Sequence, residues 1–237
     1  MVTNLEEYLR PNPYLRPPQP TPEFWMPPGE SRGERPVPLR GRGSSHGHIV
    51  LGEFRLDFES RLERHVALAF RARPDTKDLV EQTPRVLYRD DDGVVREHIF
   101  DLLVTAWNGM KTAVFVKPSA LWRPSMKRML ELIAAQISPQ VANRVLPFTE
   151  KKLSRADRHN AELIQEYCRQ PDADDDAAIA QLIAAMTGPT AIKDLVEDSG
   201  LNGYGYRAVV RAIAAGAVRL TKPGMINHSA LIERTRS

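Results

Sequence analysis

The chain has one cysteine, Cys168, in 237 residues. That excludes an intramolecular disulfide and a cysteine-built zinc cage, and it fits a reducing compartment. No apolar run is long enough to cross a bilayer. The start, MVTNLEEYLR, has no basic region followed by an apolar stretch. No secretory signal is therefore visible, and a cytoplasmic protein without membrane association is expected. An HExxH pattern is missing, and Gly203-Tyr204-Gly205 lacks the preceding strand that a dinucleotide site requires.

What is present is ordinary for a globular protein: 42% hydrophobic and 27% charged residues, in a length that allows one large or two small domains. The net charge of +3 permits nucleic-acid binding, which then depends on where the basic residues cluster. About half of the 19 prolines fall in residues 1–45, so this stretch reads as an extended arm. Its Tyr8, Tyr14, Phe24 and Trp25 could dock on the core or on a partner, and RGERPVPLRGR (Arg32 to Arg42) makes its end basic. A solvated tail and a DNA- or protein-contacting arm are both compatible with that composition.

Residues 46–152 read as one α/β domain. Leu62, Val66 and Phe70 stripe a helix over Ser60–Arg71, and Met126, Leu130, Ile133 and Ile137 stripe another over Pro124–Ile137. Strands are expected at Pro84–Arg89, Val94–Thr105, Thr112–Lys117 and Ala142–Phe148, giving the order α-β-β-β-α-β. Residues 153–176 read as a connecting helix and an acidic linker. Residues 177–237 read as a second domain, with helices near 177–186, 190–198 and 204–215 and short strands at 218–220 and 225–226. A helix, a Gly-containing turn, a second helix with Arg207 and Arg211 four apart, and a hairpin describe a winged helix-turn-helix. Both arginines are candidates for nucleic-acid contact; protein docking is the competing role.

Cleaving a phosphodiester calls for carboxylates that hold a divalent cation and for a cationic group that orients water or balances charge. The α/β block supplies Glu63 at the start of a helix, Asp101 in an apolar strand and Lys117 at the end of the next strand. Each has a plainer reading. Ser60-x-x-Glu63 is also a capping box. Asp101 and Lys117 could form a structural ion pair, since a buried carboxylate needs a partner.

Phe58-Glu59-Ser60-x-Leu62-Glu63, Glu81-Gln82-x-Pro84, His98-x-Phe100-Asp101 and Val116-Lys117-Pro118 resemble, in order and spacing, the TnsA-like transposon-end endonucleases of the PD-(D/E)xK nuclease superfamily. The resemblance covers residues 55–150 and the C-terminal part more loosely. It implies an α/β nuclease core in which Glu63 and Asp101 bind magnesium (or manganese) and Lys117 is the catalytic lysine. It also implies nicking of DNA beside a DDE transposase and an ATPase regulator. The family carries Glu, Asp or Gln two positions before the lysine, where this chain has Phe115, and a phenyl ring cannot ligate magnesium. Two other readings therefore stand beside a transposition nuclease. One is a nuclease-fold DNA-binding or adaptor subunit with a weakened or lost metal site; the other is a restriction- or repair-type nuclease.

The chemistry also predicts the hairpin at Asn108-Gly109. A two-residue loop would set Asp101 opposite Val116 and turn Lys117 to the other face. A three-residue loop, Trp107-Asn108-Gly109, sets Asp101 opposite Phe115 and leaves Lys117 diagonal on the same face. The latter is expected, with the Phe115 ring crowding the metal site.

Overall fold

The structure, a computed structural model, describes residues 27–36 and 45–235. Most of the proline-rich arm, including Tyr8, Tyr14, Phe24, Trp25, Arg40 and Arg42, lies outside the described residues. Among the described residues no helix is long and apolar enough to cross a membrane.

The described chain is mixed α/β. It opens with a hairpin that the sequence reading missed, β1 (Gly47–Leu51) and β2 (Phe54–Phe58). Helix α1 (Arg61–Arg71) starts where Ser60 Oγ accepts the Glu63 N–H at 3.1 Å. β3 (Thr76–Glu81) follows, then a separate hairpin of β4 (Arg85–Arg89) and β5 (Val95–Ile99). β6 (Leu102–Ala106) and β7 (Lys111–Val116) form the next hairpin. Helix α2 (Pro124–Gln136) is the crossover that lets β8 (Arg144–Phe148) run parallel to β7. The main sheet has the order β3-β6-β7-β8. Along the chain its layers read α1-β3-β6-β7-α2-β8, the expected order.

Two expected strands need correction. The first strand of the sheet is Thr76–Glu81; Pro84–Arg89 belongs to the side hairpin instead. The single strand over Val94–Thr105 is two strands, broken at Phe100-Asp101. There the chain changes partners: Phe100 donates its N–H to the Pro84 carbonyl at 3.1 Å, while the Asp101 carbonyl accepts from Gln82 at 2.8 Å. An apolar run carries no mark of such a change, because both segments bury side chains.

The sheet has two covered faces. Leu102, Val104, Val114 and Val116 pack toward Val66, Ala67 and Phe70 of α1. Ala113 and Phe115 pack with Phe100 toward Leu130 and Ile133 of α2. This alternation is the period of two expected of β7 buried on both sides.

The β6–β7 loop has the three-residue form. Ala106 donates to Met110 at 2.9 Å, Gly109 donates back to Ala106 at 2.9 Å, and Leu102 to Thr105 pair with Val114 to Lys111. Gly109 has φ +82° and open space around a notional Cβ. Gly109→Ala should therefore cost only the backbone strain, about 1 kcal/mol, measurable by urea unfolding without loss of the register.

The C-terminal part has its own apolar core. Helix α3 (Arg155–Cys168) lends Ile164, α4 (Ala173–Ala185) lends Ile179 and Ile183, α5 (Ile192–Ser199) lends Ile192 and Leu195, and α6 (Gly203–Ala214) lends Val209 and Val210. The acidic run expected as a linker is the start of α4: Asp172 caps it, and Asp174, Asp175 and Asp176 sit in its first turn. A small sheet of order β10-β11-β9 comprises β9 (Thr190–Ala191), β10 (Val218–Leu220) and β11 (Leu231–Arg234). The last strand was expected at 225–226, but Ile226 is a buried loop residue of the core. Gly205 is needed for a close approach, since a Cβ there would lie 2.7 Å from Ser199 Oγ of the neighbouring helix.

Candidate metal and nucleic-acid site

The break between β5 and β6 defines the position of Asp101. The β6–β7 register ends at Leu102↔Val114, and the Asp101 N–H donates to the Val114 carbonyl at 3.1 Å. An unbroken ladder would send the Val116 N–H to the Phe100 carbonyl. The chain has already turned away there, and Val116 donates to Asp101 Oδ2 at 2.6 Å instead. The carboxylate thus completes the sheet end, while Oδ1 accepts no hydrogen bond from the described residues.

Burial pushes the Asp101 carboxyl up to about 7. The Val116 N–H opposes that shift; the Glu63 and Glu59 carboxylates add to it, and the Lys117 ammonium pulls it back. Glu63 and Lys117 thus both act electrostatically on Asp101. Burial likewise raises the Glu63 carboxyl, with its cap hydrogen bonds opposing and Glu59 adding to the rise. Lys117 lies one residue past β7 and is partly buried; its N–H donates to the Phe148 carbonyl at 2.9 Å. Its ammonium makes no salt bridge among the described residues, so the direct Asp101–Lys117 pair does not form.

The capping role of Glu63 is real. Ser60 Oγ donates to Oε1 at 2.8 Å and the Glu59 N–H donates to Oε2 at 2.8 Å. Each carboxylate oxygen has a second lone pair, so the cap does not by itself exclude a cation. Among the described residues no three His, Cys, Asp or Glu side chains group as a complete metal cage. The donor set on hand is two carboxylates. That fits magnesium, which commonly binds through one or two carboxylates and keeps several waters.

No protein-family model and no curated protein matches the chain.

Phe115 is 9% exposed, and its ring lies 5.5 Å from His98 and 6.0 Å from Trp122. It is a core residue of the α2 face. His98 packs as a strand residue, edge-on to Phe100 at 4.8 Å, and burial lowers the pKa of its imidazole.

Glu59, Arg35 and Gln82 also lie around the cluster, and the last two escaped the sequence reading as site residues. Glu59 acts on the Asp101 charge. Arg35, from the arm, places Nη2 2.8 Å from Glu59 Oε1 and donates through Nε and Nη2 to Gln82 Oε1 at 3.1 and 2.6 Å. Gln82 adopts φ +47°, a left-handed conformation unusual for a residue with a side chain. The basic composition of the arm and the Glu81-Gln82 pair were the available signals; nothing local in the sequence joins them.

In the C-terminal part the two arginines separate. Arg207 is exposed, 5.5 Å from the Tyr167 and Tyr204 rings. Arg211 is buried, with Nη2 2.6 Å from Asp176 Oδ1 and Nε donating to the same oxygen at 2.7 Å. Its assignment to nucleic-acid contact is therefore corrected: the first turn of α4 covers that part of α6. Arg211→Ala should destabilise the C-terminal unit by about 1–2 kcal/mol in thermal unfolding, since it removes a buried side chain while the partner it leaves, Asp176, is 37% exposed and screened by solvent. Arg207→Ala should leave stability within about 0.5 kcal/mol, as surface changes usually do.

Proposed function

We propose that this chain is a magnesium- or manganese-dependent DNA endonuclease with a PD-(D/E)xK-type core. It would nick DNA strands in a transposition-like reaction, beside a DDE transposase and an ATPase regulator. The observation that supports this reading is that Glu63 and Lys117 both act on the charge of Asp101. Glu63, Asp101 and Lys117 come from a helix start, a strand break and a strand end, in a chain whose layers run α1-β3-β6-β7-α2-β8.

Glu63 and Asp101 would hold the cation; burial raises both carboxyls, and a bound cation would favour their ionised forms. A bound divalent cation would supply Lewis-acid stabilisation of the charge developing on the phosphate. Lys117, which makes no salt bridge among the described residues, would orient the attacking water or balance a phosphate oxygen. The C-terminal unit, with two helices joined by a turn and a three-stranded wing, fits a winged helix. Its exposed Arg207 would meet either DNA or a protein partner.

A second reading has its own support. Phe115 stands where the resembled family carries a polar residue, and both Glu63 oxygens already serve the helix cap. These features favour a nuclease-fold adaptor that binds DNA without cutting it. Two measurements separate the readings. Supercoiled plasmid should be nicked in magnesium or manganese by the wild type and not by Asp101→Ala. Titration with manganese should show a site that Asp101→Ala loses. Metal binding without nicking, with the transposase present, would favour the adaptor; absence of metal binding would overturn the nuclease.

A further inference from the structure

Residues 27–36 of the arm form a strap along β3. Gly29 bridges to Phe54, Arg32 pairs with Asp78 at 2.7 Å, and Glu34 donates its N–H to the Gln82 carbonyl at 3.2 Å. Gly33 lies so close that a Cβ would sit 2.9 Å from the Glu81 carbonyl oxygen. The strap delivers Arg35 to the carboxylate cluster.

Three features mark Arg35 as more than a fastener. Its guanidinium is held from two sides, by Glu59 and by Gln82 Oε1, yet the side chain remains 43% exposed. Five N–H donors are present and the hydrogen bonds to Gln82 Oε1 use two, so among the described residues donors remain for a ligand. The Gln82 side chain is 1% exposed, and its Nε2 finds no acceptor among the described residues. With Oε1 engaged by Arg35, that amide nitrogen is a buried donor beside the guanidinium, and an unsatisfied buried donor is costly. The open N–H groups of Arg35 are thus the ones a ligand oxygen can reach, while Nε2 of Gln82 is closed to solvent.

The charges agree. When fully ionised, as a bound cation would require, Glu59, Glu63 and Asp101 carry three negative charges against two positive ones on Arg35 and Lys117, leaving one negative. A divalent cation would leave one positive charge, which one phosphodiester neutralises.

We propose that Arg35 is a positioning residue that binds a phosphate of the DNA strand next to the carboxylate cluster, with Gln82 aligning its guanidinium. This rests on the nuclease reading for its location, but the contact can be tested without cleavage. The readout is the binding of a 30-base-pair duplex, followed by fluorescence anisotropy in calcium across a salt series, together with manganese titration. Arg35→Ala should weaken binding about tenfold and reduce the log–log salt slope by about 0.9, the value for one phosphate contact. Arg35→Lys should keep the slope.

A control separates this contact from strap docking. Arg32→Ala breaks the pair with Asp78 at the start of β3 and should leave the slope unchanged. An equal loss in Arg32→Ala and Arg35→Ala would assign the effect to docking and overturn the proposal. So would a lower melting temperature of Arg35→Ala with an unaltered slope. Tighter manganese binding by Arg35→Ala with an unaltered slope would make Arg35 a competitor of the cation and would also overturn it. A slope that falls as expected in a protein that does not nick DNA would sustain the phosphate contact and reject the nuclease.

Discussion

Lys117→Ala should lower plasmid nicking by about two to three orders of magnitude, the scale of removing one preorganised cationic group from a transition state. The fold should hardly notice. The backbone N–H to the Phe148 carbonyl is retained, and the ammonium makes no salt bridge among the described residues, so unfolding free energy should change by less than about 1 kcal/mol. A further effect follows from the electrostatics. Lys117 pulls the Asp101 carboxyl down, so its removal should move that titration above 7 and shift manganese binding to higher pH. Lys117→Arg should restore the pH of metal binding more fully than the rate, since it keeps the charge while changing its shape. Wild-type nicking by Lys117→Ala, or an unchanged pH profile of metal binding, would remove Lys117 from the site.

The sequence disclosed some of these features and hid others for identifiable reasons. The three-residue β6–β7 loop was legible from the requirement that Asp101 and Lys117 share a face, and Gly109 takes the left-handed position such a loop needs. Hydrophobic spacing marked α1 and α2, since each covers one face of the sheet. The break at Phe100-Asp101 was invisible, because it consists of a change of hydrogen-bonding partner within a continuous apolar run. Arg207 and Arg211 share a helical face by spacing, but Asp176 covers only the second, and it lies 35 residues earlier. Arg35 was hidden in the same way: Gln82 is 47 residues away, and a proline-rich arm has no periodicity from which a docking surface can be read. Phe115 was read as a departure at the metal site. The structure adds its place in the α2-side core, so Phe115→Gln would bury an amide among apolar side chains and should cost about 3 kcal/mol. Any gain in metal affinity from that change must be measured against a weakened fold.

Asp101→Asn should stabilise the metal-free protein at pH 8 by about 2–4 kcal/mol and leave it nearly unchanged at pH 4. The Asp101 carboxyl titrates near 7 in the folded chain against 3.8 as the reference value. The folded state therefore favours the protonated acid, and the sign follows. Its contribution is fully present below about pH 4, declines as the pH rises through 7, and is flat above that; each pH unit within the window is about 1.4 kcal/mol. Asparagine escapes the penalty because it stays neutral. It also keeps the local geometry, since its Oδ1 can accept the Val116 N–H that Asp101 Oδ2 accepts at 2.6 Å. Urea unfolding in EDTA at several pH values measures this directly. Adding magnesium at pH 8 should reverse the order, because a cation bound by Glu63 and Asp101 favours the ionised carboxylate and stabilises only the folded wild type. Parallel pH profiles for the two proteins in EDTA would mean that Asp101 ionises without penalty. A magnesium effect of equal size on both would place the cation elsewhere.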